Sequence, residues 1–249
     1  MTDTPTRPRH IFEVSGDDRF DFLQGLVTND VQKCKSSLVY AALLTAQGKY
    51  IADFFLLERG DAILLDVDTS LAQDLGRRLM MYKLRANVTI ASSTLSVSRG
   101  VDDMPTDAVA DPRHPALGWR LYSDETLVDD VDWDALRVAH TIPESGAELT
   151  PDTYILEAGF ERLNGVDFRK GCYVGQEIVA RMKHKTTLRK GLVQVAISGQ
   201  APIGSEILAE GKTAGTLFTQ SGDKAIAYLR FDRAKGVLHA GDAELKMGE

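Results

Sequence analysis

The 249-residue chain has only two cysteines, Cys34 and Cys172, too few for a disulfide framework or for a complete set of metal ligands. It has no run approaching the ~20 apolar residues that cross a bilayer. Its opening, MTDTPTRPRH, has neither the apolar core of a secretory signal nor the Arg-rich amphipathic pattern of a transit peptide. These absences predict a protein of the reducing cytoplasm with no membrane association. Net positive charge is lacking as well. At −7, with a pI near 5.3, the chain as a whole is no nucleic-acid or anionic-membrane binder. There is no internal repeat and no low-complexity tract. What remains, 43% hydrophobic and 26% charged residues, is the composition of a folded chain long enough for one large or two modest domains.

Charge is unevenly spread. Between Arg169 and Lys190 stand seven Lys or Arg (Arg169, Lys170, Arg181, Lys183, Lys185, Arg189, Lys190) against one acid, Glu177. That window carries +6 and the rest of the chain −13. A basic patch on an acidic body suits an anionic ligand or one acidic surface; the plainer alternative is a solvated helix face with cations toward its end.

Ser15 is a candidate N-cap for a short helix whose apolar face holds Phe20 and Leu23. The stretch YAALLTAQGKYIADFFLLERGDAILLDVD contains three apolar runs split at Gln47-Gly48 and Arg59-Gly60-Asp61, the pattern of an antiparallel meander. Leu71, Leu75, Leu79 and Tyr82 predict a helix, and NVTI and LSVSRG return to strand. Residues 102–118, with three prolines, read as loop. WDALRVAH is a short helix halted by Pro143, and from Leu192 short β runs alternate with Gly and Pro turns, the signature of a small all-β module.

The most shaped segment is FRKGCYVGQEIVARMKHK, Phe168 to Lys185. Gly171 and Gly175 allow tight turns and close approach, and Gln176 onward is good helix sequence with its acid early and its cations late. Cys172 would stand ahead of a helix start with Arg169 and Lys170 before it. Both influences favour the thiolate, the form that attacks electrophiles or binds soft metals. A lone cysteine more often packs as a small hydrophobe, but two glycines and flanking charge argue against burial. Cys34, in VQKCKSS, has no comparable turn or helix, and His184 among lysines reads as a solvated surface group.

The string LNGVDFRKGCYVGQEIVARMKHK resembles the signature of the YgfZ-type family, folate-binding-protein-like relatives of the glycine-cleavage T-protein, an aminomethyltransferase. DFLQGLVTNDV, LLTAQGKYIADF, DPRHPALGWR and LRVAHTIPESG are similar to its other segments in order, so the likeness covers nearly the whole chain. It implies an α+β fold with antiparallel sheets: a T-protein-like ring of domains around a folate-sized hole, with a small C-terminal β-barrel. By that reading residues 1–187 form a folate-binding-like region of two intertwined subdomains, the inner one about 36–100, and 188–249 the barrel. The resemblance also implies support of iron–sulfur protein assembly or repair with tetrahydrofolate. Cys172 is then the working thiolate or a ligand to a cluster shared with a partner protein. It implies folate contacts at Asn29, Asp53 and Arg137, and within the signature at Lys170, Gly171, Tyr173, Gly175, Gln176, Glu177 and Arg181. The partners so implied are a folate and iron–sulfur assembly or client proteins, with neither nucleic acid nor membrane.

Three positions depart from the T-protein pattern. Paired aspartates there read Asp53-Phe54 here, Arg-x-Glu reads Arg137-Val138-Ala139, and Thr141 stands where relatives have glycine. Folate chemistry needs carboxylates against the pterin's amidine-like edge for recognition and proton transfer, so an accessory factor is favoured over a classical enzyme. Asp53 itself reads either as a pterin contact or as a polar residue on a strand's exposed face. A folate-dependent aminomethyl transferase with a second carboxylate from elsewhere, and a thiol redox protein without folate, are the competing functions.

Overall fold

The computed structural model describes residues 8–185 and 187–248, the side chain of Lys185 excepted. The first seven residues, within the stretch read as lacking a leader, lie outside it. The described residues divide into two compact units: those up to Val131 together with Phe160–Ala180, and Asp132–Gly159 together with those from Arg181 on.

The first unit is built on an antiparallel sheet ordered β2 (Val39–Leu44), β3 (Tyr50–Arg59), β4 (Ala62–Asp68), β1 (Arg9–Ser15), β5 (Thr89–Ser92). The expected meander supplies β2, β3 and β4. The segment read as a helix start at Ser15 instead ends a strand, and α1 runs only from Arg19 to Gln24 behind Asp18. β1 then lies between β4 and β5, with Ile11 and Val14 buried on opposite faces of the sheet. α2 (Thr69–Lys83) starts at Asp68, whose carboxylate accepts from the Ser70 N–H at 2.9 Å. A second sheet, β6 (Ser96–Gly100), β8 (Trp119–Ser123) and β7 (Val109–Ala110), completes the unit.

Strand alternation gives the main sheet two unlike faces. Ala52, Phe54 and Leu56 of β3 join Ile63, Leu65, Leu23, Leu75 and Leu79 in one apolar core. Asp53 and Phe55 look the other way, opposite Ala42 and Tyr40 of β2, and Phe55 is registered against Asp66 of β4. On that side lies a buried ionic cluster. Asp66 accepts from Arg9 at 2.6 Å, Arg120 at 3.1 Å and the Tyr122 hydroxyl at 3.0 Å. Asp111 accepts from Arg113 at 2.8 and 3.0 Å and from Arg120 at 3.0 Å. The Arg113 and Arg120 guanidiniums lie 4.9 and 3.9 Å from the Phe55 ring centre. Part of the stretch expected to be plain loop therefore holds a charged core.

Burial alone would raise the Asp111 carboxyl, but Arg113 and Arg120 more than offset it and hold the group well below the usual carboxylate range. A depressed folded-state pKa contributes stability that is fully present above the unfolded value, about 3.9, and is lost as pH falls further. Stability should therefore drop below about pH 4. Asp111→Asn should be less stable at neutral pH yet show a shallower decline in acid, which urea midpoints across that range will check.

The second unit is dominated by a closed barrel ordered β10 (Glu206–Ala209), β11 (Lys212–Ser221), β12 (Lys224–Arg230), β9 (Lys190–Ser198), β14 (Ala243–Met247), β13 (Leu238–Ala240). Val195, Ile207, Leu217, Leu229 and Leu245 fill it. α3 (Trp133–His140) packs on β9, β11 and β12. Thr141 ends α3 in the left-handed region at φ +52°, so the turn forms although its residue is not glycine. α4 (Gln176–Lys185) begins in the first unit and ends in the second. Antiparallel α+β architecture and a terminal barrel are thus both present, as the sequence led us to expect.

Candidate functional site

Cys172 is exposed at the tip of a pegged loop. Residues 165–173 run alongside 24–33 and are tied to them repeatedly. The Thr28 hydroxyl donates to the Gly165 carbonyl at 2.7 Å, and the Asp167 N–H to the Thr28 carbonyl at 3.0 Å. The Lys33 ammonium meets Asp167 at 2.6 Å. The Lys170 ammonium turns inward and donates to the carbonyls of Gln24 and Val27 at 2.8 and 2.5 Å, at the last residue of α1 and just beyond it, where such groups lack helical partners. It also lies 5.0 Å from the Tyr173 ring centre. Lys170 and Tyr173 are both buried, whereas Gly171 and Cys172 between them are exposed. Two buried anchors hold a two-residue exposed tip.

Burial pushes the Lys170 ammonium down to about 8, against a smaller opposing effect of Asp30 and Asp167, and pushes the Tyr173 phenol above its usual range. Lys170 is therefore a structural peg, while Arg169 remains exposed. Beyond the tip, Gly175 takes φ +84° and a Cβ there would lie 2.5 Å from the Thr45 carbonyl oxygen. The β2–β3 turn at Gly48 thus seats the start of α4, with Gln176 half-buried and Glu177 and Arg181 exposed. The other cysteine is of a different kind. Cys34 is fully buried, and burial followed by the nearby Glu58 charge pushes its thiol up to about 12. Native protein treated with iodoacetamide near pH 8 should take up one label, at Cys172, and a second only after unfolding. Peptide mass spectrometry reads both.

Asn29 and Asp53 form a second group joined through Tyr40. Asn29 donates to the carbonyls of Tyr40 and Asn164 at 2.8 and 2.7 Å, and its side-chain oxygen accepts from the Asp30 N–H. Asp53, only 4% exposed, accepts from the Tyr40 hydroxyl at 2.9 Å and the Tyr50 hydroxyl at 2.6 Å. Sequence reasoning missed both phenols, although Tyr40 faces the same side of the sheet by alternation. Tyr40 further stacks on Phe160 at 5.0 Å. Phe54, in the position of the missing second acid, points into the apolar core on the opposite face.

Arg137 belongs to the other unit. Its guanidinium is bound by Asp134 at 2.7 Å, Glu148 at 3.1 Å and Glu144 at 3.3 Å, and donates to the Thr219 hydroxyl at 3.1 Å. Among the described residues no three His, Cys, Asp or Glu side chains converge as a metal site.

Residues 189–248 match the family described as CAF17, C-terminal beta-barrel domain. The chain is 30% identical to the mouse mitochondrial iron–sulfur cluster assembly factor IBA57 over 96% of its own length and 80% of the mouse protein. It is 28% identical to the human protein of that name over 93% and 78% of the two chains. It is 30% identical to the Pyricularia oryzae homologue over 76% of this chain but 56% of that longer one. Among solved structures, the glycine cleavage system aminomethyltransferase T of Bartonella henselae superposes with a TM-score of 0.78 over 97% of this chain and 83% of its own, at 13% identity. The fold is therefore the aminomethyltransferase one. The names of the three sequence relatives all give the mitochondrion, and they overturn the cytoplasmic assignment made from the sequence. That assignment rested on absences, of cysteines, of an apolar span and of a leader pattern in the first ten residues, and a missing pattern is no compartment signal.

Proposed function

Because the chain belongs to the IBA57 family of iron–sulfur cluster assembly factors, whose bacterial counterpart is the YgfZ-type family, we propose that it serves assembly of iron–sulfur proteins through the Cys172 thiolate. One observation carries the reading: a thiol exposed on a two-residue tip, Gly171-Cys172, between the buried Lys170 and Tyr173. Such a tip can reach a partner without costing the fold anything. A [2Fe–2S] cluster generally takes four ligands and one thiol supplies one. With no converging ligand group among the described residues, the remaining ligands come from the partner.

A folate is the second part of the proposal. Asp53 supports it as a buried carboxylate held in fixed orientation by two phenols, which is what a grip on an amidine-like edge requires. Asn29 and Tyr40 stand beside it. Arg137 contributes to its own unit, where three carboxylates take its guanidinium. Bound tetrahydrofolate would supply one-carbon chemistry, and the residues here orient it rather than move protons. Aminomethyl transfer is the weaker reading. Two acids on the Asp53 side of the sheet, Asp66 and Asp111, are paired with arginines, and those arginines hold the Asp111 carboxyl well below the usual carboxylate range, which makes it a poor proton acceptor.

Complementation of a deletion strain tests the proposal. Cys172→Ala should fail to restore iron–sulfur enzyme activities, and Asp53→Ala should restore them partly. Full rescue by Cys172→Ala with none by Asp53→Ala would put a folate enzyme in front.

A further inference from the structure

The barrel unit carries a hollow of about 260 Å³ lined by Glu157, Met182, Leu188, Arg189, Lys190 and Arg230, all of which belong to that unit. Main-chain hydrogen bonds fix its walls. The Leu192 N–H donates to the Glu157 carbonyl and the Phe231 N–H to the Arg189 carbonyl, both at 2.8 Å. Gly191 allows the close approach, since a Cβ there would lie 2.9 Å from the Glu157 carbonyl oxygen. The walls stand without an occupant, as those of small-molecule sites usually do.

The charge of the hollow is what folding leaves unexplained. Lys190 of β9 is registered directly opposite Arg230 of β12. Two like charges thus share one face of the barrel wall, an arrangement that weakens a strand pair. Arg189 adds a third cation, exposed and paired with no acid among the described residues. Compensation is thin. Glu157 stands 4.0 Å from the Lys190 ammonium, and its other oxygen is taken by the Tyr228 hydroxyl at 2.6 Å. Asp232 reaches Arg230 only at 3.3 Å, and both are exposed, so that pair is worth little. Beside the cations, the half-buried Met182 and Leu188 supply apolar wall.

We propose that this hollow is a binding site for a small aliphatic carboxylate. Arg189 and Arg230 take the carboxylate, which the guanidinium fork matches in geometry. Met182 and Leu188 take the aliphatic body, the methionine adapting to its shape. The volume, just under the roughly 300–1,000 Å³ of drug-sized pockets, sets a short body. Glu157 sets the charge, because a phosphate dianion would meet twice the repulsion from its carboxylate that a single negative group does.

Calorimetric titration of the full chain with octanoate tests this, with octanol, acetate and octyl phosphate as the other arms. Octanoate should bind at one site. Octanol lacks the charge and acetate the body, and each should bind at least roughly tenfold more weakly. Octyl phosphate should bind no better than octanoate. Arg189→Gln and Arg230→Gln should each weaken octanoate by roughly tenfold, as loss of a charge-assisted hydrogen bond does. Melts separate a ligand site from a structural role. Without octanoate, Arg230→Gln should melt no lower than the parent protein, because one of two opposed like charges is gone. Asp53→Ala should bind octanoate as the parent does, which keeps this site apart from the proposed folate contacts. Absent binding, octanol or acetate matching octanoate, tighter binding of octyl phosphate, indifference to both arginine changes, a lowered melt in Arg230→Gln or lost binding in Asp53→Ala would each overturn the proposal.

Discussion

Arg137→Met should lower the thermal midpoint by roughly 6–20 °C, the effect of breaking a buried ion pair at about 3–5 kcal/mol in a chain of this size. The cost arises in what is left behind. Glu148 is wholly buried, and besides Arg137 it has the Thr219 hydroxyl and N–H on one oxygen and the Glu144 N–H on the other. Removing the guanidinium strands that carboxylate without a counter-charge, and leaves the Thr219 and Ile142 oxygens without a donor they now share. The double variant with Glu148→Gln should recover a large part of the loss, because the stranded charge goes with it. Calorimetric melts of the two single variants and the double give the coupling. A midpoint unchanged in Arg137→Met, with tetrahydrofolate affinity lost, would instead assign the arginine to the ligand.

That arginine shows where the sequence could and could not be read. Elements set by local period were legible: the β2–β4 meander from its turns, α2 from leucines at near-four spacing, the barrel from short strands between glycines. β1 was not, because a seven-residue strand, RHIFEVS, that ends in Ser-Gly-Asp looks like a helix cap, and its pairing partners β4 and β5 lie far along the chain. The ionic cluster was equally hidden. Asp66 sits in what reads as an apolar run, LLDVD, and its partner Arg120 is 54 residues away. Nothing local distinguishes a buried Asp111 from the loop aspartates near it. At the candidate site the exposed cysteine was legible from its glycines and charges, but the role of Lys170 was not. It reads as a cation for the thiol, and only the fold shows that orphan carbonyls at the end of α1 draw it inward.

The two glycines around Cys172 should respond to substitution in opposite ways. Gly175→Ala should destabilise by roughly 2–3 kcal/mol, since φ +84° is left-handed strain for any side chain and the new Cβ meets a backbone oxygen 2.5 Å away. Relief would have to move Thr45 or α4, and Gly48 already stands 3.2 Å from that Cβ with Ile178 against its other side. The start of α4 would shift, and rescue of a deletion strain should fall with stability. Gly171 has no such duty. No atom lies within 4 Å of a Cβ placed there and its φ is not positive, so Gly171→Ala should leave stability within about 0.5 kcal/mol. A glycine that the fold does not need, next to an exposed thiol, is explained if a partner's backbone approaches it closely. The expected result is therefore an unchanged melt with reduced rescue for Gly171→Ala, and both reduced for Gly175→Ala. Full rescue by Gly171→Ala would mean that the partner reaches the Cys172 sulfur without crossing the tip.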